Sequence, residues 1–246
     1  MKILVLGCTG MIGSSIYNQC VMSKKFITYG TFKDFKKIDF LKKKKNLIYF
    51  NVSNNYTFKK IIKKIKPNIV INCIGITKHL NFKNKKKIFQ INSIFPHFAK
   101  KISNEFNSKF VQISTDCVFN GTQGNYSEKS IPNAKDIYGA SKAAGEFNDK
   151  FNLTIRTSTI GHEINTKYGL LEWFLSLNDC CEGYQKAYFN GLPTYYFSKI
   201  LLKVLVIHKI TGLIHISGFK INKYKLLKII NKAYHKKIKI IKSNSI

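Results

Sequence analysis

The sequence predicts an α/β protein, a doubly wound parallel sheet with a small C-terminal lobe, and three observations predict it. Apolar runs of strand length alternate with runs of helix length over most of the chain, the rhythm of a parallel sheet built from βαβ units. The first strand, Lys2 to Leu6, leads straight into Gly7-Cys-Thr-Gly10-Met-Ile-Gly13 and a helix pattern through Ile16 and Tyr17. Strand, glycine turn and helix in immediate succession are the context of a dinucleotide fingerprint, in which glycines let the backbone approach a pyrophosphate at the helix N-terminus. The length of 246 residues fits one compact unit with a sizeable core and a small appended lobe.

Phe26 to Thr31 reads as the second strand, and its end speaks to cofactor choice. A site for NAD usually places an acidic residue near this point, about 20 residues beyond the glycine motif, to hold the ribose 2′-hydroxyl. Here the strand ends Tyr29-Gly30-Thr31-Phe32-Lys33, with no carboxylate before Asp34. A hydroxyl and an ammonium suit a 2′-phosphate, so NADP(H) is the expected cofactor, with Lys33 as its contact and Lys36 as a spare. Leu47 to Val52 reads as the third strand, and Phe58 to Ile65 as a helix stopped by Pro67-Asn68. Ile69 to Cys73 is the fourth strand, ending in Ile74-Gly75 at the carboxyl edge where open α/β sheets bind ligands. A helix from about Lys85 to Asn104 carries Asn92, for which a role inside the helix is the plain reading.

Phe110 to Ile113 is a fifth strand that runs out into the hydroxyls of Ser114 and Thr115. Beyond it, Tyr138-Gly-Ala-Ser-Lys142 lies in a segment whose small residues allow close helix packing. Positions i and i+4 share a helix face, so the phenol and the ammonium can point into one cleft. A cation beside a phenol favours the phenolate, so Lys142 is expected to lower the Tyr138 pKa into a range useful for proton transfer. Thr115 could give a second hydrogen bond to the reacting oxygen. Tyr224 and Lys228 repeat the spacing, and there an exposed helix face is the expectation.

Leu153 to Thr157, the sixth strand, carries Arg156, the only arginine. Its planar fork suits either orienting an anionic group or a structural ion pair. Gly161 to Gly191 has no clean rhythm; it holds a helix near Leu170 to Leu177 with the sole tryptophan, Trp173, a candidate sugar or base platform or a core residue. A helix from Tyr195 to His208 returns to the main domain, and Gly212 to Ser217, Asn222 to Tyr234 and Ile238 to Ile241 add strand, helix and strand to the lobe. The expected division is therefore residues 1–158 with 192–211 as the dinucleotide-binding domain, and 159–191 with 212–246 as the lobe.

The formal net charge is +30, from 42 Lys and Arg against 12 Asp and Glu. Taken alone it suggests a nucleic-acid or anionic membrane partner. The excess is almost wholly lysine and comes with abundant Ile, Asn, Phe and Tyr, which reads as a genome-wide compositional drift, so neither partner is expected. The runs Lys42 to Lys45 and Lys85 to Lys87 read as solvated faces or loops, and the charge should still attract anionic ligands such as a nucleotide-sugar and a phosphorylated dinucleotide. Six cysteines show no metal-ligand spacing, so no metal is expected. The chain starts on a strand with no secretory leader, and no apolar run reaches the ~18 residues of a membrane span, so a cytoplasmic protein is the expectation.

The glycine motif, the Ser-Thr strand end and Tyr-x-x-x-Lys, in that order, resemble the extended short-chain dehydrogenase/reductases. The string STDCVFNGTQGNYSEKSIPNAKDIYGASKAAGE, with Ile155-Arg156-Thr157-Ser158 and Gly191-Leu-Pro-Thr194, is similar to the dTDP-4-dehydrorhamnose reductase family of sugar-nucleotide reductases. The resemblance implies a Rossmann-type sheet and catalysis by Thr115, Tyr138 and Lys142. It implies a cofactor lined by Gly7, Thr9, Gly10, Met11, Ile12, Gly13, Thr31, Lys33, Asn51, Val52, Cys73, Ile74, Gly75 and Asn92, with Tyr138 and Lys142. Asn92 would support the catalytic groups, and Asp116, Val118, Phe119, Arg156 and Trp173 would face a nucleotide-sugar substrate, in a possible homodimer. Relatives usually continue beyond Lys242-Ser-Asn-Ser-Ile246, so an abbreviated or truncated lobe is expected. An epimerase or dehydratase on the same scaffold is the second enzyme reading. Dehydratases of this superfamily follow the strand-end threonine with Asp-Glu, where this chain has Asp116-Cys117. A non-catalytic regulatory subunit, like that of methionine adenosyltransferase, is the third.

Overall fold

The computed structural model describes residues 1–41, 45–77, 84–164, 166–207 and 210–245. The chain opens with β1 (Lys2–Leu6), α1 (Met11–Met22), β2 (Ile27–Phe32), β3 (Leu47–Tyr49), α2 (Asn55–Ile65) and β4 (Ile69–Asn72). One long helix follows in three parts, α3 (Lys85–Phe89), a π turn (Gln90–Ile94) and α4 (Phe95–Glu105). β5 (Lys109–Ile113), α5 (Ile137–Ala143) and β6 (Leu153–Thr157) come next. The remainder is β7 (Thr159–Ile160), α6 (Leu170–Leu175), β8 (Cys180–Tyr184), β9 (Tyr188–Phe189), β10 (Leu192–Pro193), α7 (Thr194–Ile207), β11 (Gly212–Ile216), β12 (Ile221–Asn222), α8 (Lys223–Ala233) and β13 (Lys239–Ser243).

Seven strands form one parallel sheet in the order β11-β6-β5-β4-β1-β2-β3. Strand order reverses on either side of β1, the switch point beside which open α/β sheets form a ligand crevice. The two-residue period of a strand explains the two cores. Ile3 and Val5 point to one face, with Ile16, Tyr17 and Cys20 of α1 and Phe197 and Leu201 of α7. Leu4 and Leu6 point to the other, with Phe58 and Ile62 of α2 and Phe95 and Ala99 of α4. A third, smaller core joins Leu171 and Phe174 to Leu227, Ile230 and Ile238.

The expected fold class holds, with corrections. Gly212 to Ser217, expected in the lobe, instead supplies β11, which pairs in parallel with β6 and forms an edge of the central sheet. Strand pairing is set by long-range contact, so the local apolar pattern alone could not place it. β3 stops at Tyr49, three residues short of the expected end. Asn54 caps α2 by accepting from Thr57 N, which starts that helix at Asn55. The π turn arises beside Pro96, whose nitrogen has no hydrogen to give to the carbonyl one turn before it. Lys85 to Lys87 are exposed at the start of α3. Lys42 to Lys44 of the other run, and His208, lie outside the described residues.

Candidate active site

The glycine turn is built by close backbone approach. Gly7 has φ +73°, and a Cβ there would lie 3.0 Å from Ile74 Cγ1. A Cβ on Gly13 would lie 2.1 Å from the Gly7 carbonyl oxygen, so α1 can pack on the turn only with glycine at this position. At Gly10, the nearest atom to an added Cβ is 3.5 Å away, an ordinary contact. Protein packing does not demand a glycine there; a ligand lying on the turn would. The first N–H groups of α1 face this point with no acidic residue in the first turn, an arrangement suited to an anion.

Thr31 departs from its expected role. Its hydroxyl accepts from Gly7 N at 3.0 Å and the residue is 1 % exposed, so it supports the glycine turn from beneath and cannot reach a 2′-phosphate. Lys33 and Lys36 are exposed just beyond β2, where Asp34 is occupied by accepting from Lys36 N. Asn51 is also turned inward to its own loop, its side chain accepting from Ser53 N at 3.2 Å, while Val52 packs partly against the second core. Thr9, Met11, Ile12, Cys73 and Ile74 are half-buried around the turn and the β4 end, and Gly75 is exposed.

At the next strand end, Thr115 caps a short 3-10 turn (Asp116–Val118), accepting from Cys117 N and donating to Asp116 Oδ1, both at 3.1 Å. Asp136 caps α5 by accepting from Gly139 N, which sets Tyr138 and Lys142 on one face. The Thr115 hydroxyl lies near enough to the Tyr138 phenol to act on its ionisation. Burial, followed by the charges of Cys117, Asp116 and Asp136, pushes the Tyr138 pKa up, and the nearby Thr115 hydroxyl pulls it down. This corrects the expectation that Lys142 lowers it. The Lys142 ammonium is turned to the Ile113 carbonyl at 2.7 Å, in a buried position that pushes its own pKa down to about 8, against the charges of Glu146 and Cys73.

Asn92, fully buried, accepts from Ile76 N at 2.8 Å and donates to Ile76 O and Ser141 Oγ, each at 3.0 Å. It therefore ties the loop after β4 to the helix that carries Tyr138. A Cβ on Gly75 would lie 3.4 Å from Asn92 Oδ1 and 3.8 Å from Lys142 Nζ, which places Gly75, Asn92 and Lys142 around one point. A phenol and a hydroxyl side by side at a strand end can hold a carbonyl oxygen and supply it with a proton.

Several expected substrate contacts are satisfied within the protein. Arg156 forms a buried bidentate pair with Glu146, Nη2 to Oε2 at 2.8 Å and Nε to Oε1 at 3.0 Å, so the ion-pair alternative is the observed one. Its guanidinium also lies 4.9 Å from the Phe119 ring. Phe119 stacks on Tyr126 at 4.2 Å and Val118 is fully buried, so neither presents its side chain to a substrate. Asp116 is exposed at the cleft. Trp173 is 38 % exposed beside the buried Leu171 and Phe174, and so is not a core residue. Lys228 is exposed with its Nζ 5.7 Å from the Tyr224 ring. Sequence reasoning missed Glu146 and the half-buried His215, whose Nε2 is 3.4 Å from Arg156 Nη1. The one available signal was that Arg156 has no other arginine to share its role and needs an acid nearby. Among the described residues, no group of three or more His, Cys, Asp or Glu is placed to hold a metal ion, and no helix is long and apolar enough to cross a membrane.

The family model described as the RmlD substrate binding domain matches residues 1–164. The chain is 23% identical over 153 residues to methionine adenosyltransferase 2 subunit beta of Xenopus tropicalis, a match covering 59% of this chain and 41% of that one. It is 30% identical over 162 residues to the spore coat polysaccharide biosynthesis protein SpsK of Bacillus subtilis, covering 65% and 51%. The chain thus spans about half or less of these curated relatives. A crystal structure of a hypothetical dTDP-4-dehydrorhamnose reductase from Sulfolobus tokodaii superposes with TM-score 0.84 at 21% identity, covering 100% of this chain and 87% of that one. A dTDP-4-dehydrorhamnose reductase from Bacillus anthracis, solved in complex with NADP, gives TM-score 0.81 at 20% identity, covering 99% and 84%.

Proposed function

The chain belongs to the RmlD substrate binding domain family, and on that premise we propose that it reduces the 4-keto group of a nucleotide-linked 4-keto-6-deoxy sugar with NADPH. The observation that carries the reading is the meeting of Gly75, Asn92 and Lys142 around one point at the sheet edge, with Tyr138 one turn before Lys142 on α5 and near the Thr115 hydroxyl. The open Gly10 and the free N–H groups of α1 fit a pyrophosphate, and the exposed Lys33 and Lys36 fit a 2′-phosphate. Bound there, the cofactor would supply the hydride. Thr115 and Tyr138 hold the carbonyl oxygen, and Tyr138, kept in its protonated form by burial, gives it a proton. Lys142, fixed on the Ile113 carbonyl, sits beside Gly75 where it can reach the ribose. The substrate lobe would be residues 159–191 with the segment after β11, the protein would work in the cytoplasm, and the product would feed a surface polysaccharide.

The test is a panel of dTDP-, UDP- and GDP-linked 4-keto-6-deoxy sugars incubated with NADPH, followed by product analysis. Stoichiometric NADPH consumption with a 6-deoxyhexose product is the expected result. A product epimerised without net NADPH use would move the assignment to an epimerase. No turnover with tight NADPH binding would favour a non-catalytic regulatory subunit, the reading to which the likeness to methionine adenosyltransferase 2 subunit beta lends weight.

A further inference from the structure

We propose that the lobe carries a docking site for an extended acidic peptide, which adds a third strand to the β8–β13 pair along the outer edge of β13. The hydrogen bonds of β13 show where that edge lies. Lys239 N donates to Asp179 O and Ser243 O accepts from Gln185 N, each at 2.9 Å, so the odd-numbered residues of β13 turn their backbone groups toward β8. Successive residues of a strand turn theirs to opposite sides, so those of Ile240 and Lys242 face away from β8. Among the described residues no further strand pairs with β13 there. Ile238, the preceding member of that series, does have a partner: its N–H donates to Asn231 Oδ1 at 3.3 Å and its carbonyl accepts from Asn231 Nδ2 at 3.0 Å. The Asn231 amide of α8 thus stands where the first peptide group of a neighbouring strand would stand, and the next two positions along the edge await one.

The ground beside that edge suits one kind of strand. Between α8 and β13 runs a groove of about 480 Å³, lined by Ile238 and Ile240 from the strand side and by Lys228, Lys232 and Lys236 from the helix side. Ile229, also lining it, is 57 % exposed. Lys228 and Lys232 stand one turn apart on α8, and Lys242 of β13 reaches the Tyr224 ring at 5.7 Å. The sequence has no Asp or Glu from Gly183 onward, so these ammonium groups have no carboxylate beside them in the chain. A strand that alternates aliphatic and acidic residues can lay its aliphatic side chains on the isoleucines, bring its carboxylates to the lysines, and bond its main chain to Ile240 and Lys242. Lysines on an edge strand are also the ordinary guard against pairing between copies. They repel a second copy of this chain, which carries the same charges, and attract an acidic strand, so the charge selects the partner. A nucleic acid would engage the lysines and leave the backbone groups of Ile240 and Lys242 without partners.

No residue of this groove is among those assigned to the cofactor or the reacting oxygen, so the test needs neither NADPH nor turnover. A fluorescein-labelled octapeptide of alternating Glu and Val is titrated against the full chain by anisotropy at low salt, and amide exchange of β13 is followed by NMR. Saturable binding is expected, with slower exchange at Ile240 and Lys242 and no such gain at Ile241, whose N–H already faces β8. An octapeptide of alternating Glu and Pro carries the same charge without an N–H at every second position. It is expected to bind at least ~10-fold more weakly, the loss of one or two net hydrogen bonds. Lys228→Glu/Lys232→Glu, at two exposed positions, should weaken the Glu-Val peptide by a similar factor and leave the melting temperature of a folded chain in place. Absence of binding, or equal binding of the two peptides, overturns the proposal. An oligothymidylate of equal length or phosphatidylserine vesicles bound as tightly, or binding without protection at Ile240 and Lys242, would show a polyanion surface only and overturns it as well. Protection of those two amides by raising the concentration of the protein alone would make a second copy the occupant and overturn the assignment to an acidic strand.

Discussion

Burial keeps the Tyr138 phenol protonated, which is the form the proposed reduction needs of an acid, and Tyr138 sits on α5, apart from the glycine turn at the start of α1. Tyr138→Phe should therefore cut turnover by roughly 10²–10⁴-fold, the range for a general acid, with NADPH affinity near the parent value. Steady-state kinetics with cofactor fluorescence titration checks this, and a fully active variant would place the proton donor elsewhere. Thr31 and Lys33, adjacent in sequence, should now behave differently. Thr31→Val strips the half-buried Gly7 N–H of its acceptor, at a cost of ~1–3 kcal/mol, and should weaken NADPH and NADH binding alike. Lys33→Ala, on the surface, should weaken NADPH alone. Titrating both variants with both cofactors separates the two roles; a selective loss of NADPH in Thr31→Val would restore that hydroxyl to the 2′-phosphate.

At the scale of elements, the strand and helix patterns of the sheet were legible because β1 and β4, covered on both faces, read as unbroken apolar runs, while α2 is apolar only on its buried face. Partners of buried polar groups were not legible in the same way. Nothing local to Arg156 names Glu146 as its acceptor, and nothing local to Thr31 names Gly7 N; the first pair joins β6 to the segment after α5, the second joins the neighbouring strands β2 and β1, and both exist only in the folded sheet. The π turn belongs to this second class. Pro96 frees the Asn92 carbonyl, and the chain leaving α5 passes against that oxygen, where a Cβ on Gly145 would lie 2.0 Å away. Gly145→Ala should push the two helices apart and destabilise the fold by ~2 kcal/mol or more. Gly75→Ala offers the contrast. Its Cβ would meet only side-chain atoms at 3.4 Å or beyond, so thermal stability should hold while NADPH affinity falls. Calorimetry and cofactor titration on both variants test this, and the reverse pattern would remove Gly75 from the cofactor site.

Over the whole molecule, the charge of +30 has a structural consequence whatever its evolutionary origin. From Gly183 onward there is no Asp or Glu in the sequence, so the lysines of α7, α8 and β13 have no carboxylate beside them in the chain. Aromatic faces take part of that role. Lys199 Nζ lies 4.5 Å from the Tyr195 ring centre and Lys220 Nζ 4.2 Å from that of Tyr188, while Lys228 and Lys242 both approach Tyr224 at 5.7 Å. Exposed contacts of this kind contribute ~0.5–1 kcal/mol each and cancel no charge. Self-repulsion then opposes the compact state, and it is screened as the Debye length falls from ~30 Å at 0.01 M to ~10 Å at 0.1 M ionic strength. The melting temperature should accordingly rise with sodium chloride over that interval. Hydrogen-exchange protection should rise more in α8, with no acidic neighbour in sequence, than in α2, where Lys59 pairs with Glu105 at 3.2 Å. Equal gains in the two helices would mean that the repulsion acts on the chain as a whole, and a melting temperature indifferent to salt would mean that the lysines do not oppose folding at all.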